Sequence, residues 1–202
     1  MNKTSQKILW EIKDLLVGAA FPFMIQLVFS ASVILFADYT EELAVSIVAL
    51  LFGEALLTGA YIIFGRQNGI TAYRRTVQNE KKRTAFSPDK KAEYHTGEYA
   101  LYKGFLIGFI STLPFILIQF IECLAHNSVT AFLLRYAFGW AYYPFKLIGL
   151  SKEGGLSQWI NFLWVIFPVA VHAAAYVWGA SKERKRQLVV AEAQKEKENR
   201  KK

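Results

Sequence analysis

Glu54 and His172 are the residues of this chain whose types and positions most invite chemistry. Each stands inside a long apolar run, where an ionisable side chain is costly to keep and is a functional candidate for that reason. Glu54 lies eleven residues beyond Leu43, and His172 thirteen beyond Trp159, so an α-helical rise gives them similar depths in their runs. Gln26 and Thr112 occupy comparable levels in two further runs. A bundle of four helices would gather Gln26, Glu54, Thr112 and His172 into one polar layer. A carboxyl and an imidazole in one layer can pass a proton or couple to a substrate. The same side chains can equally act as interhelical hydrogen-bonding glue, worth about 0.6–2 kcal/mol per contact, or as contacts to a partner subunit.

A second polar stripe, Gln119, Glu122 and His126, sits near the end of the third run. Glu122 and His126 are spaced i, i+4 and could share a metal, but no third ligand is in view. The sequence therefore predicts a wet helix end and no metal. No Gly-x-Ser-x-Gly elbow, phosphate-binding loop with Lys or His-Glu-x-x-His is present. Neither an enzymatic activity nor a cofactor is expected.

The elements that must position these residues follow from the apolar runs. A hydrocarbon layer of about 30 Å needs about 20 apolar residues in a helix. Residues 15–37, 43–64, 105–125 and 159–179 meet that length, and their apolar residues cover all faces. The prediction is an all-α, polytopic integral membrane protein with four transmembrane helices. The first run is longer than a signal-peptide core of about 7–15 residues, and Asp38-Tyr39-Thr40-Glu41 is no small-residue cleavage site, so it is read as a retained span.

Charge orients the chain. Of its 24 Lys and Arg, 21 fall in the N-terminal segment, the loop 65–104 and the tail 180–202. The positive-inside rule places those segments, and both termini, in the cytoplasm. Topology and attraction to anionic lipid headgroups then account for the net charge of +8, and no nucleic-acid partner is expected. With no sorting signal beyond the first span, the expected site is a bacterial plasma membrane.

Between the third and fourth spans, residues 126–158 hold an aromatic stretch with Tyr136, Trp140, Tyr142 and Tyr143, interrupted by Gly139 and Pro144. A fifth span there would bury Arg135 and Lys146 and export the basic tail. An interfacial or re-entrant helix on the external side is predicted instead. In the loop, Ser87-Pro88-Asp89 reads as a helix start, and Ile70 to Arg83 as a helix continuing the second span. Small-xxx-small pairs at Ala55/Gly59, Gly104/Gly108 and Ala175/Gly179 mark possible helix contacts. The expected role is non-enzymatic: an accessory, scaffold or regulatory subunit of a membrane assembly, with a membrane-protein partner or a second copy of itself. The alternative is a small transporter or channel working through Glu54 and His172.

Overall fold

The structure, a computed structural model, describes residues 3–37, 43–85, 97–150 and 156–200. Seven α-helices make up almost all of these residues, and no strand occurs among them. They are α1 (Lys3–Ala37), α2 (Leu43–Ala85), α3 (Leu101–Ala125), α4 (Ser128–Ala137), α5 (Gly139–Leu147), α6 (Asn161–Trp164) and α7 (Ile166–Asn199), with a 3₁₀ turn, Leu156–Ile160, leading into α6. The expected start at Ser87-Pro88-Asp89 lies outside the described residues.

Among the described residues four helices are long and apolar enough to cross a membrane: α1, α2, α3 and the run from the 3₁₀ turn through α7. Leu51, Phe52 and Ile63 of α2, Phe21 and Val28 of α1, Leu117 and Leu124 of α3 and Ile166 of α7 all remain exposed. So continuous an apolar exterior would be a liability in water and is compatible with a membrane location.

The four long helices form a ring in the order α1, α2, α7, α3. α1 and α3 run one way; α2 and α7 run side by side the other way and share the most extensive interface. The end of the bundle that gathers Lys13, Arg74, Arg75 and Lys103 is its basic end. Past the apolar stretches, α2 continues without a break to Ala85 and α7 to Asn199, because neither extension contains a proline to stop it.

Prolines shape the rest. Pro168 has no N–H for the carbonyl of Trp164, and the hydrogen-bond ladder is interrupted at Val165, between α6 and α7, although the backbone there stays helical at φ −61° and ψ −30°. Pro22 has no N–H to offer the carbonyl of Gly18, and that freed oxygen accepts a hydrogen bond from Asn68 Nδ2 of α2 at 3.3 Å.

The aromatic stretch is two helices rather than one. Asn127 caps α4 by accepting from the Val129 N–H at 2.8 Å, and the chain turns at Phe138–Gly139 into α5. The pair packs on α1, α2 and α3 at the end opposite the basic one. Phe138 and Trp140 reach Phe115, near the middle of α3, with ring centroids 5.9 and 5.6 Å apart. This wedge forms the main core with Leu50, Leu57, Tyr61 and Val169.

Candidate functional site

The expected single layer is spread over several levels. At mid-bundle, Gln26 Nε2 of α1 donates to Tyr61 Oη of α2 and reaches Ser111 Oγ of α3 at 3.4 Å. Tyr61 Oη and Ser111 Oγ are 3.2 Å apart, and Ser111 donates back to the Gly108 carbonyl at 2.7 Å. Three helices are tied by one buried cluster. Thr112 is buried beside it but spends its hydroxyl on the Phe109 carbonyl of its own helix, at 2.9 Å. Its neighbour Ser111 makes the contact between helices.

His172 lies next to this cluster, its ring edge-on to Tyr61 at 6.1 Å. Nδ1 is 2.9 Å from the Gly104 carbonyl, which can only accept, so Nδ1 carries the proton. Nε2 is then the acceptor for Asn68 Nδ2 at 3.5 Å, the same amide that serves Gly18. Both ring nitrogens thus have partners that suit the neutral imidazole. Gly104 makes this approach possible, because a Cβ there would stand 2.8 Å from the Tyr176 ring.

Glu54 is elsewhere. It is seven residues before Tyr61 on α2, about 10 Å farther from the basic end. Trp164 approaches its carboxyl, but neither carboxyl oxygen nor the Trp164 N–H completes a hydrogen bond. Ser30 Oγ and Trp140 Nε1 are likewise buried without a partner.

The second stripe is drier than its position in the sequence suggests. Gln119 is fully buried: its amide nitrogen donates to the Gln158 carbonyl at 3.3 Å, and its oxygen accepts from Asn161 at 3.5 Å. Glu122 is buried and accepts from the Thr130 hydroxyl, because α4 folds back over this end of α3. His126 is exposed, with φ 46°, and closes α3 through its backbone N–H to the Glu122 carbonyl. Among the described residues no group of three or more His, Cys, Asp or Glu could hold a metal.

Of the aromatics expected at an interface, only Tyr136 is exposed; Trp140, Tyr142 and Tyr143 are buried inside the wedge. Arg135 Nε donates to Tyr143 Oη at 3.3 Å, and the Lys146 ammonium lies 5.1 Å from the Tyr142 ring centre. The cations of α4 and α5, Arg135 and Lys146, are therefore accommodated by tyrosines of the same pair.

At the basic end α2 and α7 meet backbone to backbone. A Cβ on Gly69 would stand 2.0 Å from the Tyr176 carbonyl oxygen, and one on Gly179 2.1 Å from that of Arg66. Past the apolar stretches, Arg74 grips Glu183 with two bonds, Nε to Oε1 at 2.9 Å and Nη2 to Oε2 at 3.3 Å. These bonds hold the Glu183 carboxyl below its ordinary range. Lys103 pairs with Glu11 at 2.5 Å and Arg75 with Asp14.

Sequence reasoning missed Ser111, Asn68, Trp164 and the Gly65/Gly69 pair as site residues. Two signals were available: the carbonyl that Pro22 must free on Gly18, and the small-xxx-small spacing of Gly65 and Gly69. Comparisons with protein-family models, with curated proteins and with solved structures return no match for this chain.

Proposed function

We propose that this chain is a four-span integral membrane protein that acts as a non-enzymatic accessory, scaffold or regulatory subunit of a membrane assembly. In this reading both termini and the basic end lie on the cytoplasmic side of a bacterial plasma membrane, and the α4–α5 pair is a re-entrant wedge on the outer side. The observation that carries the reading is the bonding of His172. Its Nδ1–H goes to the Gly104 carbonyl, its Nε2 faces Asn68, and the Gln26–Tyr61–Ser111 cluster beside it joins three helices. Groups so committed hold a bundle together and leave no proton free to move.

The surface offered to a partner would be the end of α7. Residues 188–199 are exposed along their whole length and include Leu188, Val189 and Val190 amid alternating Lys and Glu. A small transporter or channel is the alternative. The unpartnered Glu54 carboxyl favours it, as does the apolar groove of about 240 Å³ that Trp164, Leu50 and Leu51 edge.

Purification of the full chain in a mild detergent, with mass spectrometry of what accompanies it, tests the role. The expected result is one membrane protein, or a second copy of the chain, in fixed ratio, lost when residues 188–202 are removed. A chain that is monomeric and unaccompanied at every detergent concentration would overturn the reading.

A further inference from the structure

At the basic end, α1 and α2 enclose a cavity of about 430 Å³, within the range of sites that hold small molecules. Its α1 wall is Trp10, Lys13, Asp14 and Val17; its α2 wall is Arg75, Gln78, Asn79 and Lys82. Each set is spaced i, i+3, i+4, i+7, so each is one face of its helix, and the two faces look at one another. Three cations and one carboxylate line the space, and the carboxylate, Asp14, is already engaged by Arg75. Gly97 completes the wall with φ +73°, and a Cβ there would meet Arg75 Nη1 at 2.7 Å. The Lys13 ammonium lies 5.0 Å from the Trp10 ring centre. Trp10 and Val17 are themselves more than half exposed, and beyond Val17 the open face of α1 continues through Phe21 and Met24. The cavity is therefore cationic inside and opens onto an apolar stripe.

We propose that this cavity binds the headgroup of an anionic glycerophospholipid. The lipid phosphate lies between Lys13 and Lys82, Gln78 donates to its headgroup oxygens, and Trp10 and Val17 carry the start of the acyl chains toward Phe21. A soluble phosphate would use the cations but gain nothing from the apolar stripe. The proposal rests on the reading of the four helices as membrane spans and is independent of the accessory role.

The test uses the full chain in neutral detergent micelles, with lipid binding followed by native mass spectrometry. Phosphatidylglycerol should bind at least about tenfold more tightly than phosphatidylcholine of the same acyl chains. The double variant Lys13→Gln/Lys82→Gln should bring the two within about twofold, with thermal unfolding in lipid-free micelles unchanged. Gln78→Glu, which adds a negative charge to the wall, should weaken the preference in the same direction and serves if the double variant unfolds. Equal binding of the two lipids, or a preference that survives both variants, would overturn the site. Displacement of the lipid by millimolar inorganic phosphate as readily as by short-chain phosphatidylglycerol would overturn the choice of a lipid. Alkaline carbonate extraction of cell membranes separates the two levels of failure. A chain released by carbonate contradicts the membrane reading itself, whereas a retained chain without headgroup preference contradicts this site alone.

Discussion

Near the basic end, α2 and α7 touch backbone to backbone through Gly69 and Gly179, and ion pairs close the bundle beyond them. Toward the opposite end the long helices have large side chains between them: Trp140, Tyr143 and Phe138 of the wedge stand among Leu50, Leu57, Phe115 and Val165. Where α2 meets α7 the first half has no room for a methyl group, and this half leaves three buried polar atoms without a partner, Gln26 Oε1, Arg66 Nε and Tyr176 Oη. The second half gathers volume and leaves more of them: Ser30 Oγ, both Glu54 carboxyl oxygens, Trp140 Nε1, Gln158 Oε1, Asn161 Oδ1 and Trp164 Nε1. Buried polar groups without partners cost free energy, so local opening is expected to begin in the wedge half and to spare the glycine half.

Removing the wedge's anchor should have the largest effect. Trp140→Ala takes away a ring that is 1% exposed and packed on Phe115. A loss of about 3–5 kcal/mol is expected, measured by unfolding in mixed micelles and accompanied by faster proteolysis between Ser128 and Gln158. Proteolysis that speeds instead near Arg66 would show that the halves are not separable.

A methyl group in the glycine half comes next. Gly69→Ala must push two backbones apart and should cost about 1–3 kcal/mol. Gly59→Ala, ten residues earlier on the same helix with nothing within 4 Å of the new Cβ, should be neutral or slightly stabilising. Equal effects at the two positions would remove the close approach of α2 and α7 from the account.

The smallest effect belongs to the ion pair. Arg74 is nearly half exposed, so solvent screening limits its pair with Glu183 to about 0.2–1 kcal/mol. Because the folded state holds the Glu183 carboxyl below its ordinary range, its contribution is complete above that range and is lost as pH falls through the lower, folded value. The stability difference between wild type and Glu183→Gln should therefore be full at neutral pH and fade as the solution is acidified. A difference that grows on acidification would reverse the sign assigned to this pair.

The four long helices were legible in the sequence because length and unbroken apolarity are properties of one segment at a time. The extension of α2 was legible for the same reason, since nothing between Ile70 and Arg83 stops a helix. Alignment between helices was not. Glu54 and His172 were matched in depth by counting from Leu43 and Trp159 at the rise of an α-helix. That count assumes the two apolar runs start at one level, whereas the register of α2 against α7 is set by the close contacts of Gly65 with His172 and of Gly69 with Tyr176. His172 accordingly meets Tyr61 and Asn68, and the residue that reaches Glu54 is Trp164. The burial of Gln119 and Glu122 escaped notice because it depends on the 3₁₀ turn and α6 meeting Gln119 and on α4 folding back over Glu122, tertiary events that no local spacing encodes. Gly65 and Gly69 are informative only once Tyr176 and Gly179 are known to face them.

The claim at the centre of this account is that the buried polar groups bind helices to one another and carry nothing through the bundle. Proton flux into vesicles reconstituted with the purified full chain tests it most directly, with a pH gradient imposed and an entrapped dye read over time. Vesicles holding wild type and vesicles holding Glu54→Gln should both leak no faster than lipid alone. A protein-dependent flux that Glu54→Gln abolishes, in a variant that still unfolds like wild type, would contradict the claim and make Glu54 part of a conduit.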